Sequence, residues 1–240
     1  MKRALPDLFR IALTPVALAA GLAALGLTSG CDNLQIQNLE PPAYYHPANV
    51  AVEGFALPIS IRRVVLLPLA PSGPATSLEQ GIDTMLPIVD SELKKTERFE
   101  VVAISPAHLR DLTGQSVWRA DEPLPLDFFR KLQRDTGCDA VMFCEITRYQ
   151  PYQPLAIGWK LCLAAQGVSE RAEPRKIWSV DEVLDAGDGH TAHAARTYYS
   201  QHVHTEQPLG DAATILRSPT LFGQFSLNAL FSTIPLRSTE

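Results

Sequence analysis

Cysteine is scarce in this sequence, with four residues among 240. Cys138, Cys144 and Cys162 are separated by 6 and 18 positions, without a matching histidine pair, which excludes the recognised zinc patterns. His190 and His193 lie three apart on a predicted helix, but no Asp or Glu on that helix is spaced to complete a metal site. We therefore predict neither a metal site nor a cofactor.

The common catalytic signatures are absent as well. The sequence contains no G-x-S-x-G, no Walker loop and no H-E-x-x-H. Gly187 and Gly189 lie in a predicted turn that lacks the strand-turn-helix setting of a dinucleotide site. Asp135 and Asp139 flank Gly137, which is typical of a capped, solvated turn and not of a general acid and base. We therefore predict that the protein is not an enzyme.

An excess of positive charge is also missing. The formal net charge is -5, and the first 30 residues contain three basic residues and one acidic residue, so the rest of the chain carries -7. A negative surface repels nucleic-acid phosphates and anionic lipid headgroups. We therefore exclude nucleic acid as a partner, and any membrane contact must have a source other than surface charge.

The beginning of the chain has the layout of a secretory signal. Basic residues precede an apolar run from Ile11 to Leu27, slightly shorter than the roughly 20 residues of a membrane span. Pro15 lies inside the run and Thr28-Ser29-Gly30-Cys31 closes it, which favours a cleaved signal over a spanning anchor. The tetrapeptide resembles the lipobox of bacterial lipoproteins, although Thr28 stands where leucine is usual. This resemblance implies removal of residues 1 to 30 and diacylation of Cys31, with an ordinary cleaved signal as a further alternative.

A lipid on Cys31 predicts attachment to a membrane. Each buried methylene contributes about 0.8 kcal/mol, so two or three acyl chains such as palmitate give stable anchoring. Asp32 resembles the signal that keeps enteric lipoproteins in the inner cell membrane, and this favours the inner over the outer membrane while leaving both open. Residues 31 to 57 are rich in Asn, Gln and Pro and show no period, which predicts a tether to a periplasmic domain at 58 to 240. Tyr44-Tyr45-His46 can dock on that domain, the usual case, or on a partner.

The apolar pattern of the domain predicts a single layered α/β or α+β fold. Val64 to Leu67 form a short apolar run, which predicts a buried strand, and Leu78 to Leu93 have apolar residues at helical spacing with Pro87 inside. Asp139 to Thr147 predicts the central strand. Further strands are expected at 99 to 104, 156 to 165 and 177 to 184, and further helices at 106 to 113, 126 to 136, 190 to 203 and 219 to 233. We expect a mixed sheet of about five strands packed by helices.

Two sets of residues remain open between a site and the core. Cys144 and Cys162 lie about equally far from a turn at Pro151 to Pro154, so a hairpin can place them opposite one another. An oxidising compartment then permits a disulfide, but the two residues are equally explained as small buried hydrophobes. Trp178 and Tyr198-Tyr199 are candidates for an aromatic binding surface, although such residues on strands and helices usually belong to the core.

Several segments together resemble a known group of envelope proteins. They are Val64-Val65-Leu66-Leu67-Pro68, Arg98-Phe99-Glu100-Val101-Val102, Thr136-Gly137-Cys138-Asp139-Ala140-Val141 and Glu145-Ile146-Thr147-Arg148-Tyr149. This order resembles the curli-secretion (CsgG) lipoproteins and their relatives, which include the penicillin-binding-protein activator LpoB and the amino-terminal domain of TolB. The likeness covers roughly residues 61 to 185 and implies a mixed sheet resembling an anticodon-binding fold.

The resemblance implies work in assembly, such as binding another envelope protein, organising an export apparatus or forming an oligomer. A membrane strand needs about 9 to 11 residues of alternating polarity, whereas the predicted hairpin at 139 to 167 is already needed for the core. We therefore expect a membrane-anchored, periplasm-facing lipoprotein that acts as a non-enzymatic structural or interaction component of the cell envelope. The alternatives are a protomer of an oligomeric CsgG-like secretion assembly and a lipid-anchored hydrolase of unrecognised type. The sequence leaves the oligomeric state open.

Overall fold

The computed structural model describes residues 42 to 72, 75 to 167, 174 to 203 and 211 to 237, with backbone only for 75 to 77. The predicted signal segment and Cys31 lie outside these ranges. The strands are β1 Val50–Val52, β2 Arg63–Leu66, β3 Ala70–Pro71, β4 Glu100–Ala103, β5 Ala140–Gln150, β6 Ala156–Ala165 and β7 Arg175–Asp185. The helices are α1 Ala75–Lys95, α2 Pro106–Thr113, α3 Phe128–Thr136, α4 Gly189–Tyr198 and α5 Pro219–Phe231.

The seven described strands form one mixed sheet in the order β1-β7-β6-β5-β2-β4, with β3 beside β5. β5, β6 and β7 are antiparallel neighbours, while β2 runs parallel to both β4 and β5. Residues 140 to 146 of β5 are all buried, which explains the continuous apolar run of a central strand. The mixed α/β class and the central place of β5 are confirmed. The sheet has seven described strands and not the expected five. The two additional strands, β1 and β3, are too short to show an apolar period, so the sequence does not predict them.

The sheet separates two apolar cores. Side chains alternate between its faces, so Met142 and Cys144 face the larger core beneath α1, α4 and α5. Val141 and Phe143 face a smaller core beneath α2 and α3. Both faces of the central strands are therefore covered, as a layered α/β fold requires.

The helix ends follow the local sequence signals. At the start of α2, Ser105 Oγ accepts a hydrogen bond from the backbone N of His108, and the helix ends at Gly114 with φ 91°. α3 likewise ends at Gly137 with φ 70°. Pro87 lies inside α1 without ending it. Among the described residues, no helix combines the length and the hydropathy of a bilayer span.

The domain begins earlier than the predicted boundary at residue 58. β1 pairs antiparallel with β7, with Val50 opposite Val180. Leu57 is fully buried in the larger core. Residues 42 to 57, assigned to the tether from their composition, therefore belong to the described domain. A strand of three residues gives too little periodicity to be recognised.

Candidate functional site

Residues 42 to 49, termed the docked segment, lie against β7 and the helical layer. Glu182 of β7 holds this segment: its Oε1 accepts a hydrogen bond from Tyr45 Oη at 3.2 Å. Its Oε2 accepts from the backbone N of Ala48 at 2.9 Å and of Asn49 at 3.2 Å. Burial and the neighbouring Glu182 carboxylate raise the pKa of the Tyr45 phenol, which keeps it protonated as a donor. Docking on the domain itself is thus the arrangement that the structure shows.

Directly after β1 the chain exposes apolar side chains. Phe55 is fully exposed, and Leu236 is 72% exposed. Val52 and Ile59 are more than two-fifths exposed. Leu57 donates its backbone N–H to the carbonyl of Leu236 at 2.9 Å, so the C-terminal segment lies against this part of the chain. We term Val52, Phe55, Ile59 and Leu236 the apolar patch. Single exposed apolar residues are common, but a group of them indicates a contact surface.

A second feature is a cleft of about 450 Å³ beside β5. It is lined by Ser72, Arg119, Asp121, Glu122, Pro123 and Glu145, and we term it the polar cleft. Glu145 follows Val141 and Phe143 on the sheet face covered by α2 and α3. Its side chain is almost fully buried, next to the Ser72 side chain on the same lining. The nearest cation, at Arg119 Nε, lies 3.7 Å from Oε2, which is too long for a hydrogen bond.

The cations near Glu145 are engaged by other acceptors. Arg119 donates through Nε and Nη2 to the carbonyl at the end of β3, at 3.3 and 2.7 Å, and through Nη1 to Glu122 at 2.8 Å. Lys160 lies opposite Glu145 in the β5–β6 ladder and donates to Asp121 at 2.9 Å. Burial raises the pKa of Glu145 and the charge of Asp121 adds to the rise, while the charges of Lys160 and Arg119 and a hydrogen bond from the Ser72 side chain oppose it. The polar cleft therefore contains a buried carboxylate with a raised pKa beside two cations.

The predicted hairpin is present as β5 and β6, but its register separates the two cysteines. Cys144 lies opposite Leu161, and Cys162 lies opposite Phe143. Near the turn, Arg148 pairs with Gly158, and that register continued without interruption would place the cysteines opposite one another. A bulge after Ile146 adds one residue and shifts the ladder, so the thiols lie on opposite faces of the sheet. Both are free and buried, so the prediction of a facing pair is wrong and the description as small buried hydrophobes holds.

The proposed aromatic surface is also wrong, because its members belong to the core. Trp178 is fully buried and donates through Nε1 to Thr233 Oγ1 at 2.9 Å. Tyr199 is 1% exposed and Tyr198 is 9% exposed. A buried indole normally finds a hydrogen-bond partner of this kind.

The polar residues singled out in the sequence have structural contacts. Asp139 Oδ2 accepts from the backbone N of Arg62 and of Arg63, both at 2.9 Å, so its carboxylate joins the start of β5 to the start of β2. His190 lies beside the ring of Tyr45, with centroids 6.3 Å apart. Within the described ranges, no three His, Cys, Asp or Glu side chains are grouped to hold a metal.

Sequence reasoning missed both the polar cleft and the apolar patch. Glu145 had a usable signal, because it is the one charged residue in the apolar run from Ala140 to Ile146. A carboxylate inside a strand buried on both faces needs an explanation. Phe55 carries no such signal, since an apolar residue in an irregular segment is compatible with burial or exposure.

Comparisons with known proteins add a limited likeness of fold. Neither a family model nor a curated protein matches this chain. The PelC dodecamer from Paraburkholderia phytofirmans is 12% identical, with a TM-score of 0.39 over 78% of this chain and 98% of that chain. Lipoprotein GNA1162 from Neisseria meningitidis is 16% identical, with a TM-score of 0.35 over 62% and 99%. The hypothetical protein CT253 from Chlamydia trachomatis is 10% identical, with a TM-score of 0.40 over 72% and 93%.

One of these three structures, GNA1162, is a bacterial lipoprotein. The narrower resemblance to CsgG, LpoB and TolB is not confirmed by them. At such TM-scores the likenesses support no conclusion about function, which has to be argued from this chain's own residues.

Proposed function

We propose that the protein is a lipid-anchored, periplasm-facing component of a bacterial envelope that binds another envelope protein through the apolar patch and catalyses no reaction. The full exposure of Phe55, in a segment of the chain that also exposes Val52 and Ile59, carries this proposal. Burying one phenylalanine side chain contributes about 1.5 to 3 kcal/mol. Aromatic residues are also over-represented among the residues that dominate binding energy. A partner that covers the patch would therefore be bound more tightly, because it buries apolar surface that is exposed in the folded domain.

The backbone beneath the patch is held in place before any partner binds. Val52 lies opposite Trp178 in the β1–β7 ladder. Glu53 Oε2 pairs with Arg175 Nε at 2.8 Å. Leu57 is fully buried between the exposed members of the patch. A surface that is already ordered loses less conformational entropy on binding, which favours affinity.

The anchor predicted at Cys31 limits where a partner can be. The eleven residues from Cys31 to Pro42 can span at most about 40 Å. The docked segment fixes the chain beyond Pro42, so this length of chain would limit how far the domain can lie from the membrane surface. Attachment to one membrane raises the effective concentration of two proteins, so a modest patch can suffice.

Photocrosslinking tests this proposal. A photoreactive amino acid in place of Phe55 should give a discrete adduct with a second envelope protein in membranes of the native bacterium. The matched control replaces Tyr152, which is 78% exposed at the turn between β5 and β6. That position should give no such adduct, since it lies outside the patch.

Co-purification then decides between the alternatives. Phe55→Ser should reduce recovery of the crosslinked partner by about tenfold, while Tyr152→Ser should leave recovery unchanged. Equal adducts from both positions, or none from position 55, would remove the patch as a binding surface. An adduct with a second copy of this chain would replace the adaptor by the oligomeric secretion assembly.

A further inference from the structure

A separate cavity of about 340 Å³ lies between the docked segment, the end of α4 and α5. Each of these three elements contributes aromatic rings to its lining. Tyr44 and Tyr45 come from the docked segment, Tyr198 and His202 from the end of α4, and Phe225 from α5. We term it the aromatic cavity.

Contacts within the lining hold these rings in place. Tyr44 is 56% exposed, yet its Oη accepts a hydrogen bond from Gln201 Nε2 at 3.2 Å. The ring of Tyr45 stands edge-on to Phe225, with centroids 6.2 Å apart. The ring of His202 stacks on Tyr198 at a centroid distance of 4.6 Å. Rings that are already ordered lose less conformational entropy when a ligand binds.

The helix is irregular where it meets the aromatic cavity. α4 continues into a π-helical turn, Tyr199–Val203. Such turns are rare in proteins and occur frequently at functional sites. Gln201 and His202 belong to this turn, and both line the cavity. The turn therefore supplies two of the polar side chains that a ligand would meet.

The polar groups of the lining are neutral amides, hydroxyls and imidazoles. The described lining contains no Asp, Glu, Lys or Arg, so a charged ligand group would lack a partner of opposite charge. Asn228 of α5 is half-buried, and its amide has no hydrogen-bond partner among the described residues. An amide offers two donors and an acceptor. The aromatic cavity thus combines ring faces with a neutral hydrogen-bonding group that the fold leaves unused.

We infer that the aromatic cavity binds a neutral pyranose sugar, either free or as one unit of a glycan. A pyranose presents C–H groups on its faces, which pack on an aromatic ring, and hydroxyls at its edge, which pair with an amide. Tyr44 provides the exposed ring face, and Asn228 provides the amide. A purely apolar ligand would bury that amide without a partner, which is unfavourable. The volume of about 340 Å³ accommodates one sugar ring.

This inference does not rest on the proposed function. The aromatic cavity and the apolar patch share no residue, and either can fail without the other.

Ligand-observed NMR titration of the full chain, in a detergent without a sugar headgroup, tests the inference. The probes are the methyl glycosides of glucose, galactose, mannose and N-acetylglucosamine, and at least one of them should bind saturably. Cyclohexanol, a six-membered ring with a single hydroxyl, should bind about tenfold more weakly than that glycoside, because it forms fewer hydrogen bonds. Failure of all four glycosides to bind, or cyclohexanol binding as tightly as the best of them, overturns the inference.

Two variants remove the two kinds of contact separately. Tyr44→Ala should weaken glycoside binding by about tenfold, because it removes the exposed ring face. Its control is Tyr152→Ala, which removes an exposed tyrosine outside the cavity lining. Asn228→Leu should also weaken binding by about tenfold, because it removes the free amide. Its control is Gln224→Leu, which removes a half-buried amide from the same helix outside the lining.

Both controls should leave the affinity unchanged. If Asn228→Leu fails to fold, Tyr44→Ala decides the question, since an exposed side chain can be truncated without unfolding the domain. Full affinity in Tyr44→Ala overturns the inference.

Two further probes identify the source of the ligand. A linear trisaccharide of the preferred sugar that binds at least as tightly as the methyl glycoside assigns a glycan, whereas much weaker binding assigns a free sugar. N-acetyl-tyrosinamide represents an aromatic side chain of a protein. If it binds more tightly than every glycoside and loses affinity in Tyr44→Ala, the cavity binds a peptide and the sugar assignment is overturned.

Discussion

The carboxylate of Glu145 lies between Cys144 and Ile146, two fully buried residues of β5. Burial raises its pKa above that of an unfolded chain, which is about 4.3. In the pH window between these two values the folded protein binds the proton more tightly than the unfolded chain. The stability contributed by this group is therefore complete below the unfolded pKa and is lost as pH rises through the folded pKa.

Glu145→Gln should consequently stabilise the protein increasingly as pH rises. The difference in the free energy of unfolding between variant and wild type, measured by urea denaturation, should increase as pH rises above about 4.3, the pKa of the unfolded chain. Glu92→Gln is the control, because it breaks a hydrogen-bonded ion pair with Lys95 and should not stabilise the fold. Parallel pH profiles for Glu145→Gln and wild type would contradict a raised pKa of the buried Glu145 carboxylate.

The carboxylate of Glu182 holds the docked segment against β7. Glu182→Ala removes the acceptor of three hydrogen bonds from the docked segment, and should lower the free energy of unfolding by about 1 to 3 kcal/mol. The same change should speed chymotrypsin cleavage after Tyr44 and Tyr45. Glu53→Ala, which breaks only an exposed ion pair with Arg175, should cost less than about 1 kcal/mol and leave cleavage unchanged. Equal cleavage rates in wild type and Glu182→Ala would show that other contacts hold the segment.

At the scale of elements, the sequence predicts the long strands and the helices but not the register between them. The nearly continuous apolar run of β6 identifies the strand at its observed bounds, 156 to 165, because a strand buried on both faces is apolar at successive positions. The apolar run of β5 gives no sign of the extra residue at Thr147, since an added residue in a strand buried on both faces leaves the apolar run intact. That residue decides which face of the sheet each cysteine meets.

The bulge depends on the glycine across from it, which makes the register testable. A Cβ at position 158 would overlap Thr147 Oγ1 and lie 3.0 Å from the backbone N of Arg148. Gly158→Ala should therefore lower the free energy of unfolding by about 1 to 3 kcal/mol. Gly189→Ala, where no neighbouring atom would lie within 4 Å, should change it by less than about 0.5 kcal/mol. Urea denaturation of both variants measures the difference, and equal stabilities would argue against a tight bulge.

At the scale of the whole molecule, the sequence defines the class of fold better than the sites. The order of apolar segments from Val64 to Phe231 is enough for a layered α/β domain, since each long element must bury one face. The lipidation site at Cys31 is a prediction from a local motif, which does not depend on the fold. Phe55 and Glu145 are different, because the exposure of one and the burial of the other depend on how distant segments pack.

Cys31→Ser should release the protein from the membrane fraction. The variant lacks the thiol that we predict to carry the lipid, so labelled palmitate should no longer be incorporated and the chain should no longer be held by acyl chains. Cys138→Ser is the control, because Cys138 is a buried, free cysteine of the domain. Palmitate incorporation that persists in Cys31→Ser would refute the lipobox assignment.

The docked segment also determines how the domain would respond to mechanical load. Tension from an anchor at Cys31 would enter the described chain at Pro42 and meet the hydrogen bond from Ala43 N to Thr197 Oγ1 first. The three hydrogen bonds to Glu182 would bear the load next, and the β1–β7 ladder only after them. Phe55 follows β1 along the chain, so the surface around it would keep its shape until every one of these contacts had yielded.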